Sequence, residues 1–268
     1  MTSLPAKQNR QGVRGPKMTL DSIKQSIKQT PFYECEDGLL YCADCMDILP
    51  QLPDGCVDLV LTDPPYGIGE SKKNNASRGI YGGLNNSALY YSTDYPIEEW
   101  DSSPMTAEQY RQMARVGRNQ IIFGANHFSD LLPPSSCWIV WDKDNGENDF
   151  ADCELAYTSY SKAVRRIKWK WHGLLQEDMS SKEKRYHRTQ KPVGMIIGIF
   201  RKLNLIEQII LDPFLGSGTT AVAAKRLGRK FIGIEISEEY CRIAKDRIQA
   251  EEKGITVAEL KRGQKVLF

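Results

Sequence analysis

From residue 38 onward, short apolar runs alternate with stretches in which apolar residues recur every three or four positions. The apolar runs are continuous, which is typical of strands buried on both faces of a sheet. We predict strands at residues 39–42, 57–62, 120–124, 138–141, 154–160, 164–171, 208–211 and 230–236. The helical period predicts helices at residues 19–29, 45–52, 106–116, 193–203, 217–227 and 238–251. This alternation indicates an α/β fold with a parallel sheet covered on both faces.

Two stretches show no such period, at residues 1–18 and 67–101. The first is polar and basic, so we expect residues 1–30 to form a flexible arm with a short helix. The second carries Gly, Asn, Ser and Tyr, and a loop of that length inside a compact domain is usually functional or disordered. We expect residues 31–268 to form one domain with this loop as an insertion.

The composition allows a sizeable core, since 41% of the 268 residues are hydrophobic. No apolar run approaches the roughly 18 residues that span a bilayer. No apolar stretch follows the basic N-terminus to make a secretory signal. We therefore predict a cytoplasmic protein without a membrane partner.

The cysteines number seven, and an odd count argues against a closed set of disulfides. Cys35, Cys42, Cys45 and Cys56 lie close together and include one Cys-x-x-Cys pair. A structural zinc site is one interpretation, but no second pair completes its spacing. Buried or loop thiols are favoured, and no metal is predicted.

The net charge of +2 hides an uneven distribution. Residues 1–30 carry six Lys or Arg and one acid, whereas residues 160–191 carry ten Lys or Arg and three acids. The rest of the chain has a net charge of −10. Two basic segments on an acidic body indicate a polyanionic partner, although solvated surface faces explain such clusters equally well.

The predicted strand at 208–211 runs directly into Asp-Pro-Phe-Leu-Gly-Ser-Gly-Thr-Thr, residues 212–220. Gly216 and Gly218 would let a ligand approach the backbone at a helix N-terminus. The next strand leads to Glu235, where an acid accepts hydrogen bonds from ribose hydroxyls in nucleotide-binding sheets. With a third glycine missing and Asp212 nearby, a sulfonium suits this pocket better than a diphosphate. A dinucleotide site and a purely structural turn are the alternatives.

A second motif, Asp63-Pro64-Pro65-Tyr66, follows the predicted strand at 57–62. Consecutive prolines hold the backbone extended and donate no N–H group, so a carboxylate, a carbonyl and an aromatic ring lie at the sheet rim. We predict that Tyr66 stacks on a planar heterocycle while Asp63 and the Pro64 carbonyl accept the hydrogens of its amino group. A rigid turn with a packed Tyr66 is the structural alternative.

Together the two motifs resemble those of the S-adenosylmethionine-dependent amino methyltransferases of DNA, and their order resembles the beta group of that family. The similarity covers roughly residues 38–250. It implies a Rossmann-like α/β methyltransferase fold with a doubly wound, mixed but mostly parallel seven-stranded sheet, circularly permuted. It also implies a bacterial or phage-encoded enzyme that uses S-adenosyl-L-methionine and acts on a base flipped out of double-stranded DNA. In that family Asp at the first position of the tetrapeptide usually goes with the N6 amine of adenine, and Ser with N4 of cytosine.

The resemblance assigns roles to individual residues. Asp63, Pro64, Pro65 and Tyr66 would be catalytic. The cofactor would be bound by Asp44, Cys45, Lys191, Asp212, Phe214, Gly216, Ser217, Gly218, Thr219 and Glu235. Lys191 belongs to His187-Arg-Thr-Gln-Lys-Pro192, which resembles a His-Pro-Thr-Gln-Lys-Pro element that closes over the methionine end of the cofactor. Arg188 stands where the family has proline.

Basic residues are the predicted phosphate contacts. Arg166, Lys168 and Lys170 alternate with Ile167, Trp169 and Trp171, which gives a strand one cationic and one apolar face. Protection of a sheet edge is the alternative role for this strand. The full set is Lys72, Lys73, Arg78, Arg166, Lys168, Lys170, Lys184, Arg185 and Arg188. We expect a target-recognition insertion at about residues 142–190; the stretch 138–149 is either a target-reading loop or an acidic surface turn.

Several rival functions stay open on the sequence alone. An N4-cytosine DNA methyltransferase and an RNA adenine methyltransferase share the chemistry. A protein-glutamine methyltransferase usually has Asn in place of Asp63. A nicotinamide-dependent oxidoreductase would leave the Asp63 motif unexplained, and a catalytically silent DNA-binding module would need no cofactor loop. A homodimer and a cognate restriction endonuclease are partners that the resemblance allows.

Overall fold

The strands of the described residues are organised around one large mixed sheet. The computed structural model describes residues 18–68, 103–146, 151–172, 175–186 and 189–265. The strands are β1 Tyr33–Cys35, β2 Gly38–Cys42, β3 Val57–Thr62, β4 Gly117–Phe123, β5 Trp138–Asp142, β6 Cys153–Thr158, β7 Arg165–Lys168, β8 Trp171–His172, β9 Leu175–Gln176, β10 Ile209–Asp212 and β11 Lys230–Glu235. Nine of them form one sheet in the order β1-β2-β11-β10-β3-β4-β6-β5-β7, and β8 and β9 pair separately.

The centre of the sheet is parallel and its flanks are mixed. Strands β2, β11, β10, β3 and β4 run parallel to one another. Strand β1 is antiparallel to β2, while β6 is antiparallel to both β4 and β5. The carboxyl ends of β2, β3, β10 and β11 therefore meet at one edge, where parallel α/β sheets bind ligands.

Several of the helices begin at a capping side chain, whereas α4 and α5 begin after Pro192 and Gly218 without one. They are α1 Leu20–Gln25, α2 Cys45–Ile48, α3 Ala107–Val116, α4 Val193–Leu203, α5 Thr219–Arg226, α6 Glu238–Lys253 and α7 Val257–Lys265. Thr106 and Gln109 form a capping box at α3, and Ser237 caps α6. Asp44 caps α2 by accepting a hydrogen bond from the Met46 N–H at 2.8 Å.

Two apolar cores cover the two faces of the sheet. Alternate residues of β2 point to opposite sides, so that Leu40 joins one core and Leu39 joins the other. Helices α4, α5 and α6 contribute to the core around Leu40, and α1, α2 and α3 contribute to the core around Leu39. The doubly wound architecture predicted from the sequence is confirmed.

The structure also departs from the sequence predictions. Within the described residues the sheet has nine strands where the resemblance implied seven, and the pattern missed both β1 and α7. The predicted helix at 45–52 ends at Ile48, because Pro50 lies in a following 3-10 turn.

The predicted strand at 164–171 ends at Lys168. The Lys170 N–H beyond it is taken by the Glu177 carboxylate at 3.0 Å instead of a neighbouring strand. In the sheet, β5 lies between β6 and β7.

Four of the predicted features lie outside the described residues. They are the basic arm at 1–17, the greater part of the 67–101 loop with Lys72, Lys73 and Arg78, residues 147–150, and His187 with Arg188.

Candidate active site

A cavity of about 480 Å³ opens at the carboxyl edge of the sheet, where the two sequence motifs meet. Its volume is in the range of small-molecule and cofactor sites. Predicted site residues in its lining are Asp44, Cys45, Asp63, Pro65, Lys191, Asp212, Phe214, Gly216, Ser217, Thr219 and Glu235. The other three predicted catalytic and cofactor residues are Pro64, Tyr66 and Gly218, which belong to the same two segments but do not line the cavity.

The glycine turn between β10 and α5 has the conformation that its sequence predicts. Gly216 and Gly218 have φ values of +54° and +90°, which side chains other than glycine rarely adopt. A Cβ atom at Gly218 would also lie 3.0 Å from Ala244 of α6, whereas one at Gly216 would meet open space. Gly218 thus allows close helix packing, and Gly216 leaves room on the side of the cavity.

Glu235 at the end of β11 anchors this turn. One carboxylate oxygen accepts a hydrogen bond from the Gly216 N–H at 2.7 Å, and the other accepts one from the Ser237 N–H at 2.8 Å. Both bonds orient the carboxylate toward the cavity rim. The carboxylate of Glu235 thus lines the cavity beside the glycine turn.

Asp212 has mainly a structural role. One of its carboxylate oxygens accepts hydrogen bonds from the Thr62 hydroxyl at 2.7 Å and from the Phe214 N–H at 3.1 Å. Burial raises the pKa of Asp212 to about 6, against the effect of these hydrogen bonds. The residue ties β10 to β3 and shapes the turn before Phe214.

Cys45 is neutral where it borders the cavity. Burial, followed by the neighbouring Asp44 carboxylate, raises the pKa of the thiol to about 12. A neutral thiol is a poor nucleophile, so Cys45 contributes contact rather than reactivity. In the described part of the chain, no group of His, Cys, Asp and Glu side chains is arranged to hold a metal ion.

The segment Asp63–Tyr66 after β3 is held by contacts within it and with Lys191 and Met105. The Tyr66 hydroxyl donates a hydrogen bond to one oxygen of Asp63, and the Lys191 ammonium contacts the other. Burial raises the pKa of Asp63, and the charge of Lys191 opposes this shift. The Pro65 carbonyl accepts a hydrogen bond from the Met105 N–H at 3.1 Å.

The Tyr66 ring is packed against the turn that follows β4. It stacks on His127 with the ring centroids 4.9 Å apart and 14° between the planes. It also lies against Gly124, which has a φ of +63°. His127 and Gly124 were not found by sequence reasoning, because nothing local shows that β4 lies beside β3.

Lys191 lies at the catalytic end of the cavity. Its ammonium contacts Asp63 and lies 3.3 Å from Glu154, and only 7% of its side chain is exposed. The cofactor turn holds its backbone, because the Thr219 hydroxyl donates to the Lys191 carbonyl at 3.0 Å. Lys191 thus links the glycine turn before α5 to the Asp63 carboxylate.

Two further charged residues near the site were missed by the sequence analysis. The Arg247 guanidinium on α6 donates to the Ser217 carbonyl and to Glu183, both at 2.8 Å. Glu154 lies on β6 and pairs with Lys191 and Lys143. The only available signal was a polar residue inside an otherwise apolar helix face or strand.

The predicted phosphate contacts that the structure describes have different environments. Lys168 and Lys170 both pair with Asp144, at 2.9 and 3.2 Å, and Arg166 lies 3.8 Å from Asp142. Lys184 is exposed. The guanidinium of Arg185 instead lies over the Trp171 ring at 4.4 Å, so it packs inward.

Comparisons with known proteins found a matching family, related sequences and a related solved structure. A family model for DNA methylases of the N6/N4 type matches residues 118–246. The type II methyltransferase M.ScaI of Streptomyces caespitosus is 27% identical over 88% of this chain and 89% of its own length. M.HpaI of Haemophilus parainfluenzae is 26% identical over 81% and 76%. The solved structure of the cytosine-N4-specific PvuII DNA methyltransferase is 15% identical, with a TM-score of 0.52 over 87% of this chain and 94% of that one.

The chain has the Rossmann-like α/β fold of the solved PvuII methyltransferase. The family match and the relatives support a site-specific DNA methyltransferase of the beta group, in the family that modifies adenine N6 or cytosine N4. The resemblance stated from the motifs is confirmed. The methyltransferase family also supports S-adenosylmethionine as the cofactor. No helix in the described ranges is long and apolar enough to cross a membrane.

Proposed function

We propose that this protein methylates the N6 amine of an adenine flipped out of double-stranded DNA. The supporting observation is that Asp63 lines the same cavity as Gly216 and Glu235. The motif for the amine and the motif for the cofactor therefore face one space. Asp at the first position of the tetrapeptide favours adenine over cytosine, as the family resemblance implies.

The cavity residues fit S-adenosylmethionine by their chemistry. Gly216 leaves open space where a side chain would stand, and Glu235 offers acceptors for ribose hydroxyls. Phe214 and the neutral Cys45 supply apolar contact, and Asp44 supplies a carboxylate. When bound, the cofactor supplies an activated methyl group on a sulfonium.

The chain's own residues prepare the amine. Asp63 would accept one of its hydrogens, and a carbonyl of the Pro-Pro pair is the proposed second acceptor. Because the Pro65 carbonyl already accepts from Met105, we assign this role to Pro64. Two acceptors placed against the amine draw its lone pair out of the ring system, and positioning of this kind supplies much of the rate enhancement. Tyr66 stacks on the extrahelical base and offsets part of the cost of flipping.

The insertion at 142–190 is the proposed source of target recognition. It contains β7, β8 and β9, and it carries Lys168, Lys170 and Lys184. Cations there would bind phosphates and position the duplex, while sequence is recognised by base contacts and DNA shape. A homodimer and a cognate restriction endonuclease stay predictions.

The test uses S-adenosylmethionine with a labelled methyl group and either DNA or RNA as acceptor. We expect label in DNA, and we expect Asp63→Ala to abolish transfer while cofactor binding, measured by calorimetry, persists. Transfer to RNA alone would favour the RNA methyltransferase. Retained turnover by Asp63→Ala would contradict the role of the tetrapeptide.

A further inference from the structure

Four charged side chains of alternating sign extend from the catalytic carboxylate toward the end of β5. The Lys191 ammonium contacts Asp63 and lies 3.3 Å from one oxygen of Glu154. The other oxygen of Glu154 is 2.6 Å from the Lys143 ammonium. The side chains of Asp63 and Glu154 are 21% and 24% exposed, and that of Lys191 is 7% exposed.

The contacts of Asp63 leave the proposed reaction with a steric and electrostatic problem. One oxygen of Asp63 accepts from the Tyr66 hydroxyl, and the other pairs with Lys191. A target amine needs an acceptor at this carboxylate, and the cationic Lys191 on one oxygen repels the partly positive hydrogens of the amine, so the amine binds best when the ammonium moves away. The ammonium cannot simply withdraw, because a buried charge without a partner is strongly disfavoured.

Glu154 offers the ammonium another partner without a large movement. It lies on β6, where Glu154 is opposite Trp141 of β5, so its backbone is fixed within the sheet. Burial would raise the pKa of Glu154, but the ammonium groups of Lys191 and Lys143 outweigh it and hold the pKa below its usual value. Lys143 in turn lies over the Trp141 ring, 5.2 Å from its centroid. Glu154 is thus a charged acceptor ready beside Lys191.

We propose, on the basis of the proposed function, that Glu154 is a positioning residue that takes over the Lys191 ammonium when the target amine occupies Asp63. Glu154 does not touch the base itself. It acts by making the exchange at Asp63 possible, so that Lys191 shifts between two carboxylates while staying paired. Without the Glu154 charge, Lys191 stays on Asp63 and competes with the amine.

This role of Glu154 predicts a change in the pH dependence of kcat/KM. The groups that face Asp63 are Lys191, Glu154, the Tyr66 hydroxyl and, more remotely, Asp212. Glu154 is a like charge that raises the pKa of Asp63. Replacing it with a neutral side chain therefore lowers the pKa of Asp63, and the acid limb of kcat/KM moves to lower pH.

The experiment compares Glu154→Gln with wild type and with Glu207→Gln as the matched control. Glu207 is a half-buried carboxylate that accepts from Tyr160 and Asn119 away from the site. We expect Glu154→Gln to lower kcat/KM for DNA by about tenfold or more, with the affinity for S-adenosylmethionine unchanged. Glu207→Gln should methylate as wild type does. Glu154→Asp, which keeps the charge, should retain more activity and tests the idea if the amide variant folds poorly.

A double-mutant cycle with Lys191→Met separates this mechanism from a purely structural one. If Glu154 acts through Lys191, Glu154→Gln has no further effect in the Lys191→Met background. Three results would overturn this inference without affecting the proposed function. They are wild-type activity of Glu154→Gln, an acid limb of kcat/KM that does not move, and a Glu154→Gln effect that is as large in the Lys191→Met background as in wild type. A wild-type protein that binds the cofactor but methylates no DNA overturns the proposed function, and this inference with it.

Discussion

Tyr66 keeps its orientation because residue 124 has no side chain. An ideal Cβ atom at Gly124 would lie 1.9 Å from a carbon of the Tyr66 ring. The ring therefore lies against the Gly124 backbone, and the stacked His127 supports it further. An aromatic ring held in place before the base arrives loses little conformational freedom on binding.

We predict that Gly124→Ala lowers DNA methylation by at least about tenfold while cofactor binding persists, because the methyl group displaces the Tyr66 ring. The matched control is Gly254→Ala, since Gly254 also has a φ of +63° but has nothing within 4 Å of its Cβ position. Both variants should lose about 1 kcal/mol of stability from the strained backbone. Steady-state methylation assays check the prediction, and equal activity of the two variants would contradict it.

The raised pKa of Asp212 predicts that the stability of the protein depends on pH. Its folded pKa of about 6 lies above the ordinary value of 3.8, so the folded state binds the proton more tightly than the unfolded state does. The cost of ionising Asp212 is absent below about pH 4, grows as the pH rises, and is constant above about pH 6.

Asp212→Asn removes this cost and can still accept from Thr62 and Phe214. We expect it to raise the free energy of unfolding by about 1–3 kcal/mol above pH 6 and to give no gain below pH 4. Thermal denaturation across this range measures the difference. A gain that is the same at every pH would show that the charge of Asp212 is not its cause.

At the scale of single elements, β7 and the residues after it present cations that already have acidic partners. Lys168 and Lys170 share Asp144, which is exposed to solvent together with them. Exposed ion pairs are weak, so phosphates can replace Asp144 at little cost. Asp142 and Asp144 therefore partly neutralise this surface.

We predict that Lys168→Gln/Lys170→Gln makes the slope of log K against log salt shallower by about 2, because two phosphate contacts are lost. Lys202→Gln/Lys230→Gln is the control. Lys202 lies in the last turn of α4 and Lys230 begins β11, so both are at the edge opposite the cavity. DNA binding measured over a range of salt concentrations gives the slopes, and identical slopes for the two variants would exclude direct phosphate contacts by β7.

Elements with strong local signals could be predicted from the sequence. Helix α6 was predicted from its helical period, and β3 from its apolar run before Asp63. The three-residue β1 has no such signal, because its residues are only partly buried. The order of β5, β6 and β7 depends on which segments pair, antiparallel for β5 with β6 and parallel for β5 with β7, and no local pattern specifies this.

At the scale of the whole molecule, the sheet brings together residues that are distant in the chain. The Thr62 hydroxyl donates to Asp212, which is 150 positions further along. Their meeting follows from two strands that end at the same edge, so the shared location of the two motifs could be predicted. The contact between Lys191 and Asp63 could not be predicted, because residues 189–191 are not part of a strand. Hydrogen bonds hold this segment at the site, from the Thr219 hydroxyl to the Lys191 carbonyl and from the Ser217 hydroxyl to the Gln190 side chain.

In the folded chain, the predicted acidic and basic site residues lie in different places. Acids that the sequence analysis assigned to the cofactor and the amine, Asp44, Asp63, Asp212 and Glu235, all line the one cavity. Of the predicted phosphate contacts that the structure describes, the four outside the protein interior lie on β7 and in the segment 170–184. With the proposed function, the anionic groups would face a sulfonium and an amine, and the cations would face a polyanion.

The central claim, methylation of adenine N6 in DNA, is tested most directly by nucleoside mass spectrometry. Unmethylated DNA is incubated with the purified protein and S-adenosylmethionine, digested to nucleosides and analysed. The predicted product is N6-methyladenine, formed by the wild-type protein and missing with Asp63→Ala. N4-methylcytosine in place of N6-methyladenine, or no modified base despite cofactor binding, would contradict the claim.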